Sequence, residues 1–222
     1  MLNVYYSRVD DLNFGDLSER YWNCLSEERK ASITKYKFEI DKIRSITAEI
    51  MLRKALLKDF NISNEEIKFE RNYYGKPRLT NKNIEFNISH SGNFVVLAIS
   101  NDDVGIDIEE RKKYHHDIVQ LFHEKEISII ENNSLNGRVK VLYDYWCLKE
   151  SYIKFIGKGL SEPLNSSFII KEAEKYQVYL LDNTPIDVEV FPIDIDENYS
   201  CAVCTNQKNI TKIENIDQAT SL

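Results

Sequence analysis

Apolar positions repeat with two different periods along this chain, and the switches between them mark out its elements. Period-two alternation predicts a strand at Leu2–Ser7, and short helical patterns follow near residues 16–34. A long amphipathic helix is expected near 40–59, then strands near 66–71, 84–90 and 93–101. The run Val104-Gly-Ile-Asp-Ile-Glu109 opens a second series with another strand. Helices near 117–132 and 138–156 come next, the last ended by Gly157 at the C-cap, then strands near 166–171, 176–181, 186–193 and 199–205. Two of these segments match position by position: Asn93-Phe-Val-Val-Leu-Ala-Ile-Ser-Asn101 and Asn198-Tyr-Ser-Cys-Ala-Val-Cys-Thr-Asn206. Glu49 and Arg53 also stand about where Glu150 and Lys154 stand. The pattern reads as an α+β pseudo-dimer of two similar α/β halves, residues 1–102 and 103–222. Each half is expected to be an antiparallel sheet packed on a long helix, with a ligand cleft between them.

The chemistry concentrates in the second half. On a strand, Asp107 and Glu109 point one way while Val104, Ile106 and Ile108 point into a core, which puts the two acids about 6–7 Å apart at Cα. Adjacent carboxylates repel unless a cation lies between them, and a hard divalent metal takes one or two carboxylates while leaving positions for phosphate oxygens. Tyr143, Trp146, Cys147, Glu150, Ile153 and Lys154 share one helical stripe, so the Glu150–Lys154 pair continues an apolar face, where a charge is costly without a partner. Taken singly, each piece also fits a wet-faced strand or a solvated helix pair.

Composition narrows the class. The 222 residues are 42% hydrophobic and contain no run of 18 apolar residues, which points to a soluble globular chain of one domain or two small halves. The amino-terminal stretch is charged too early for a signal peptide, so the expected location is cytoplasmic, with no membrane partner. Four scattered cysteines make no disulfide framework, and Cys201 and Cys204, three apart on a strand, face opposite ways and cannot share a metal. The net charge of −7 argues against a nucleic-acid partner. It is unevenly spread: residues 1–100 carry +2 and the remainder −9. An anionic ligand would therefore find cations in the first half and a metal in the second.

Two turns offer phosphate donors. Tyr74-Gly75-Lys76-Pro77 is a turn by composition, and Ser89-His90-Ser91-Gly92 places hydroxyls and an imidazole at a strand end. His115, His116 and His123 lack metal-ligand spacing.

Tyr74-Gly-Lys-Pro77, Phe86-Asn-Ile-Ser-His-Ser91, Gly105-Ile-Asp-Ile-Glu109, Phe122, Trp146-Cys-Leu-Lys-Glu-Ser-Tyr-Ile-Lys154 and Gly157-Lys-Gly-Leu160 occur in order. With this set the chain resembles the surfactin-type (Sfp) 4′-phosphopantetheinyl transferases over residues 2–206. The resemblance implies transfer of phosphopantetheine from coenzyme A to a serine of an apo acyl or peptidyl carrier protein, with release of adenosine 3′,5′-bisphosphate. It also implies a monomer. Asp107, Glu109 and Glu150 would hold Mg2+, with Mn2+ as the alternative metal, on the pyrophosphate. Lys154 and His90 would contact phosphates, with Lys149 beside them. Arg44, Ser45, Ser89 and His90 would serve the 3′-phosphate and ribose, and Tyr74, Gly75 and Lys76 would border the adenine. Glu150 or a water on the metal would act as base, and the sequence leaves both open. The match is weakest near residues 26–35, where Arg29 and Lys30 are basic but Ser32 stands a turn later.

Two other readings use the same residues. A Mg2+-dependent nuclease or phosphohydrolase could employ the three acids, but Arg111 stands where the common nuclease pattern wants a lysine, and the acidic balance disfavours nucleic acid. A binding-only homologue is disfavoured because all three acids and both lysines are present.

Overall fold

The computed structural model describes residues 1–80 and 82–216, and residues 217–222 lie outside the described part of the second half. The first strand, β1 (Leu2–Arg8), leads to helices α1 (Phe14–Tyr21), α2 (Glu27–Ile33) and α3 (Glu39–Phe60). α3 runs for 22 residues without proline or glycine and stops where Asn61 turns left-handed at φ 52°. Strands β2 (Phe69–Arg71), β3 (Pro77–Leu79), β4 (Glu85–Ser91) and β5 (Phe94–Ser100) follow. β6 (Val104–Glu110) then leads into α4 (His116–Val119), α5 (Glu124–Glu131) and α6 (Leu135–Ile156). β7 (Ser167–Glu172), β8 (Lys175–Leu180), β9 (Pro185–Pro192), β10 (Tyr199–Thr205) and β11 (Lys212–Asn215) are the remaining strands among the described residues. Gly157 caps α6 at φ +68°, as its position in the sequence predicts.

The strands form two main sheets and a small hairpin. One sheet has the order β11-β1-β5-β4 and the other β6-β10-β9-β8-β7, while β2 and β3 pair with each other. The second sheet is antiparallel throughout. The first is not: β11 joins β1 in parallel, so a strand from the carboxy-terminal end of the chain edges the sheet of the first half. Sequence pattern predicts neither β11 nor β3, and it starts β2 too early. Residues 64–66 instead make a 3-10 turn that Ser63 and Glu66 cap reciprocally.

Alternation sorts the core into three layers. Val95, Leu97 and Ile99 of β5 pack with Ile46, Ile50 and Leu56 of α3. Phe94, Val96 and Ala98, on the other face, meet Val104, Ile106 and Ile108 of β6 and Val203 of β10 between the two sheets. Ala202 and Cys204 pack with Cys147 and Leu148 of α6. Cys201 belongs to the middle layer and Cys204 to the α6 layer, so the two thiols do face opposite ways.

Candidate active site

Gly105 decides how α6 meets β6. A Cβ there would lie 2.1 Å from Ser151 O and 2.3 Å from Phe155 N, so only glycine lets the helix backbone rest on the strand. Asp107, two residues along the same face, is thereby brought against the helix. Lys154 Nζ donates to Asp107 Oδ1 at 2.5 Å and to Ser89 Oγ at 2.9 Å. Ser89 Oγ in turn donates to Asp107 at 2.8 Å.

β4 supplies the other wall. Its alternate residues Asn87, Ser89 and Ser91 all face β6: Asn87 accepts from Ile106 N at 2.9 Å, and Ser91 donates to Glu109 at 2.7 Å while accepting from Glu110 N at 3.1 Å. A ladder of small polar side chains thus joins the edges of the two sheets, with Asp107 and Glu109 on its line.

Ser89, His90, Asp107, Glu109, Trp146, Glu150 and Lys154 line one open cleft of about 390 Å³. Burial raises the pKa of Glu150, and the Asp107 charge adds to it against the opposing pull of Lys154. Burial also raises Glu109, with Asp107 and Glu150 adding to the rise, although the Ser91 bond and Lys154 work against it. Burial opposes the charge of Lys154, but Asp107 and Glu150 outweigh it and its pKa is raised. Among the described residues no three His, Cys, Asp or Glu side chains stand ready-converged on one metal position. Lys154 takes the place of a cation on Asp107 Oδ1, and Asp107 Oδ2 is buried with no hydrogen-bond partner. An unpaired buried carboxylate oxygen beside two more acids with raised pKa values fits an oxygen-binding divalent cation.

Two further clefts share residues with this one. Ile88 and His90 also border a cleft of about 230 Å³ walled by Arg29, Ser45, Glu49, Phe69, Arg71 and Asn87. Trp146, Glu150 and Lys154 also border a slot of about 560 Å³ completed by Leu121, Ile153, Pro163 and Leu164. Phe122 packs edge-on to Trp146 at 6.3 Å and supports that wall. His90 stands open to solvent at the junction, its pKa lowered by partial burial and by the cations Arg44 and Lys154.

The structure thus gathers Asp107, Glu109, Glu150, Lys154, Ser89 and His90 at one cleft and puts Ser45 on its neighbour. Five other sequence candidates lie elsewhere. Lys149 is wholly buried and is paired with the equally buried Glu126 at 3.3 Å, because one helical step turns it about 100° away from Glu150. Arg44 donates to Gly92 O and to Asp41. Lys76 donates to Val104 O at 2.9 Å and to Phe155 O at 3.4 Å, where it helps close the end of α6. Tyr74 and Gly75 form the tip between β2 and β3, with Gly75 at φ +92°, and neither lines the three clefts.

Sequence reasoning missed Arg71 and Asn87 as cleft residues and Glu126 as the partner of Lys149. It also missed Asn72, which accepts from Tyr74 N and Lys76 N and donates to Gly157 O, tying the turn to α6. The Asn-x-x-Gly spacing of residues 72–75 is a turn signal that could have pointed to it.

Comparison with known proteins decides the family. Residues 17–102 match the family model of the 4′-phosphopantetheinyl transferase N-terminal domain, and residues 103–204 match the 4′-phosphopantetheinyl transferase superfamily. The 4′-phosphopantetheinyl transferase gsp of Aneurinibacillus migulanus is 38% identical over 190 residues, covering 85% of this chain and 79% of that protein. The chain belongs to the 4′-phosphopantetheinyl transferase family. The 4′-phosphopantetheinyl transferase Sfp of Bacillus subtilis strain 168 is 30% identical, with 91% of this chain and 92% of that protein covered. A mouse relative, L-aminoadipate-semialdehyde dehydrogenase-phosphopantetheinyl transferase, is 29% identical over 86% of this chain and 70% of its own. In this transferase the join between the two matched regions falls just before β6, the strand that carries Asp107 and Glu109.

Proposed function

We propose that this transferase moves phosphopantetheine from coenzyme A to a serine of an apo carrier protein, in the cleft that Asp107, Glu109, Glu150 and Lys154 border. The observation that carries this reading is the continuity of the three clefts through His90, Glu150 and Lys154. Coenzyme A has the same sequence of parts: a phosphorylated nucleoside, a pyrophosphate and a slim neutral arm. Arg29 and His90 suit the nucleotide phosphate, beside an Arg71 held by Glu28 and Gly75 O, while Lys154 and the acids suit the pyrophosphate and the slot walled by Leu121, Ile153 and Leu164 suits the arm. In this reading the two halves act as a pseudo-dimer whose seam holds the ligand, with residues 1–102 on the nucleotide side and residues 103–222 on the metal and carrier side.

Asp107, Glu109 and Glu150 would hold Mg2+ or Mn2+, which when bound neutralises charge developing on the pyrophosphate. The chain's own residues do the rest. Lys154 orients a phosphate oxygen by releasing Asp107, and Ser89 keeps that carboxylate aimed. Glu150, on the cleft wall beside Lys154, is the side chain placed to take the proton of the incoming serine hydroxyl, whose oxygen bonds to the phosphorus of the phosphopantetheine as adenosine 3′,5′-bisphosphate leaves. The apolar slot keeps water from competing with that hydroxyl.

The carrier protein docks beside the slot. Leu121, half exposed on the slot wall, and the exposed Lys113, with Lys112 paired to Glu110, suit an acidic helix with an apolar stripe. Arg111 is less free: it is held by Ser200, Glu197 O and Asp144. The test is incubation with coenzyme A, Mg2+ and a panel of apo carriers, read by mass. A gain of one phosphopantetheine on a carrier supports the reading, and no gain on any carrier under conditions that modify them with a known transferase refutes it.

A further inference from the structure

Helix α3 repeats the glutamate-x-x-x-cation spacing of Glu150 and Lys154 with Glu49 and Arg53, but its carboxylate is fully engaged by protein groups. Glu49 Oε1 accepts from Ser26 N at 2.7 Å and from Arg53 Nε at 3.0 Å. Its Oε2 accepts from Ser26 Oγ at 2.9 Å and from Arg29 Nε at 3.2 Å. The side chain is 2% exposed.

Each partner has a consequence. Ser26 is the N-cap of α2, so Glu49 fastens the start of that helix to α3. Arg53 is itself buried and is held at its other end by Asn64 at 2.6 Å, so it is a fixed counter-charge and not a mobile one. Arg29 lies on the cleft wall, and its second hold is Ser45 Oγ at 3.2 Å. A guanidinium has five N–H donors in a rigid fork, and these two contacts use two of them. Two guanidinium groups this close repel each other, and a carboxylate between them is what allows both to stay. Glu28 and Glu70 also line this cleft and Glu28 pairs with Arg71, so an anion there would meet the remaining N–H donors of Arg29 and not a wall of net positive charge.

We propose that Glu49 is a positioning residue for substrate recognition: it holds Arg29 on the cleft wall so that the guanidinium meets the phosphate on the ribose of coenzyme A. This rests on the transferase reading above. With the pyrophosphate at Lys154 and the acids, the anion that extends past His90 into the Arg29 cleft is the 3′-phosphate. Glu49 touches no substrate atom and acts through Arg29.

The experiment measures transfer to an apo carrier by the full-length enzyme with coenzyme A and with 3′-dephospho-coenzyme A. For Glu49→Gln, KM for coenzyme A is expected to rise about tenfold, KM for the dephospho form to rise less than about twofold, and kcat to stay within about twofold. In an Arg29→Ala background, Glu49→Gln should add less than about a further twofold to KM, since the residue it positions is gone. Equal rises with both co-substrates, a fall in kcat alone, or additive effects in the double variant would overturn the proposal. If Glu49→Gln does not fold, Glu49→Asp keeps a negative charge between the two guanidinium groups but shortens its reach to Arg29, and it must give the same selective rise or the proposal fails. Wild-type enzyme that transfers nothing from coenzyme A would instead overturn the transferase reading, and this proposal with it.

Discussion

Asp107 and Lys154, 47 residues apart, meet at 2.5 Å where β6 touches α6. The contact exists because Gly105 has no side chain to hold helix and strand apart. It joins an acid that is almost fully buried to a cation that is about a quarter exposed, at the centre of three connected clefts.

Lys154→Ala should therefore do more than remove a surface pair. It leaves the Asp107 carboxylate buried without its counter-charge and leaves phosphate charge uncompensated in the cleft, whereas an exposed helix pair contributes only about 0.3–0.5 kcal/mol. We expect kcat/KM for coenzyme A to fall by more than tenfold and Lys154→Arg to be milder. A loss below about threefold, under ~0.7 kcal/mol, would show that Lys154 is a solvated helix residue.

Gly105→Ala should fail structurally and not chemically. The added methyl meets helix backbone at Ser151 and Phe155, which cannot rotate away, and overpacking of this kind costs about 1–3 kcal/mol or more. The expected result is a melting temperature lower by several degrees, or insoluble protein. An unchanged melting temperature would mean that α6 does not rest on β6 as described.

Glu109 gives a pH-dependent test. Its folded pKa is raised by burial and by Asp107 and Glu150, so the unfolded chain ionises first as pH rises. The charged folded state thus loses stability as pH increases from the unfolded pKa through the raised folded one, and the full cost is present above that window. In chelator, Glu109→Gln should raise the melting temperature at pH 7 and leave it little changed near pH 4, each 1 kcal/mol corresponding to roughly 2–4 °C. A lower melting temperature at pH 7 would give Glu109 a structural role.

His90 has the opposite sign. Burial, Arg44 and Lys154 lower its pKa in the free enzyme, and a bound phosphate would favour its charged form, so binding should take up a proton. KM for coenzyme A is expected to improve between pH 8 and pH 6, and His90→Ala to flatten that trend. A wild-type KM independent of pH would remove His90 from the phosphate contacts.

Most of the scaffold was legible because period and caps are local properties. The alternation around Asp107 and Glu109, the stripe through Trp146, Glu150 and Lys154, and the Gly157 cap all came from neighbours within a few residues. What was not legible depends on distant partners. Lys149 beside Glu150 in the sequence suggested a shared site, yet its ammonium points into the core at Glu126, which also accepts from Ile169 N. Lys76 looked like a free cation in a turn, but its acceptors are carbonyls of β6 and α6. The four residues of β11 carry no apolar run, and their parallel pairing with β1 spans almost the whole chain. The Arg29 cleft draws its walls from α2, α3, β2 and β4, and no local pattern announces such a set.

The most direct measurement of the central claim is the mass of an apo carrier protein after incubation with coenzyme A and Asp107→Ala enzyme across a Mg2+ titration, beside wild type. Asp107 offers one oxygen to Lys154 and keeps the other buried and unpaired, so its loss should abolish detectable phosphopantetheine transfer at Mg2+ levels that saturate wild type, with the melting temperature preserved. Near-wild-type transfer by folded Asp107→Ala enzyme at those levels would contradict the assignment of Asp107, Glu109 and Glu150 as the metal-holding centre of the site.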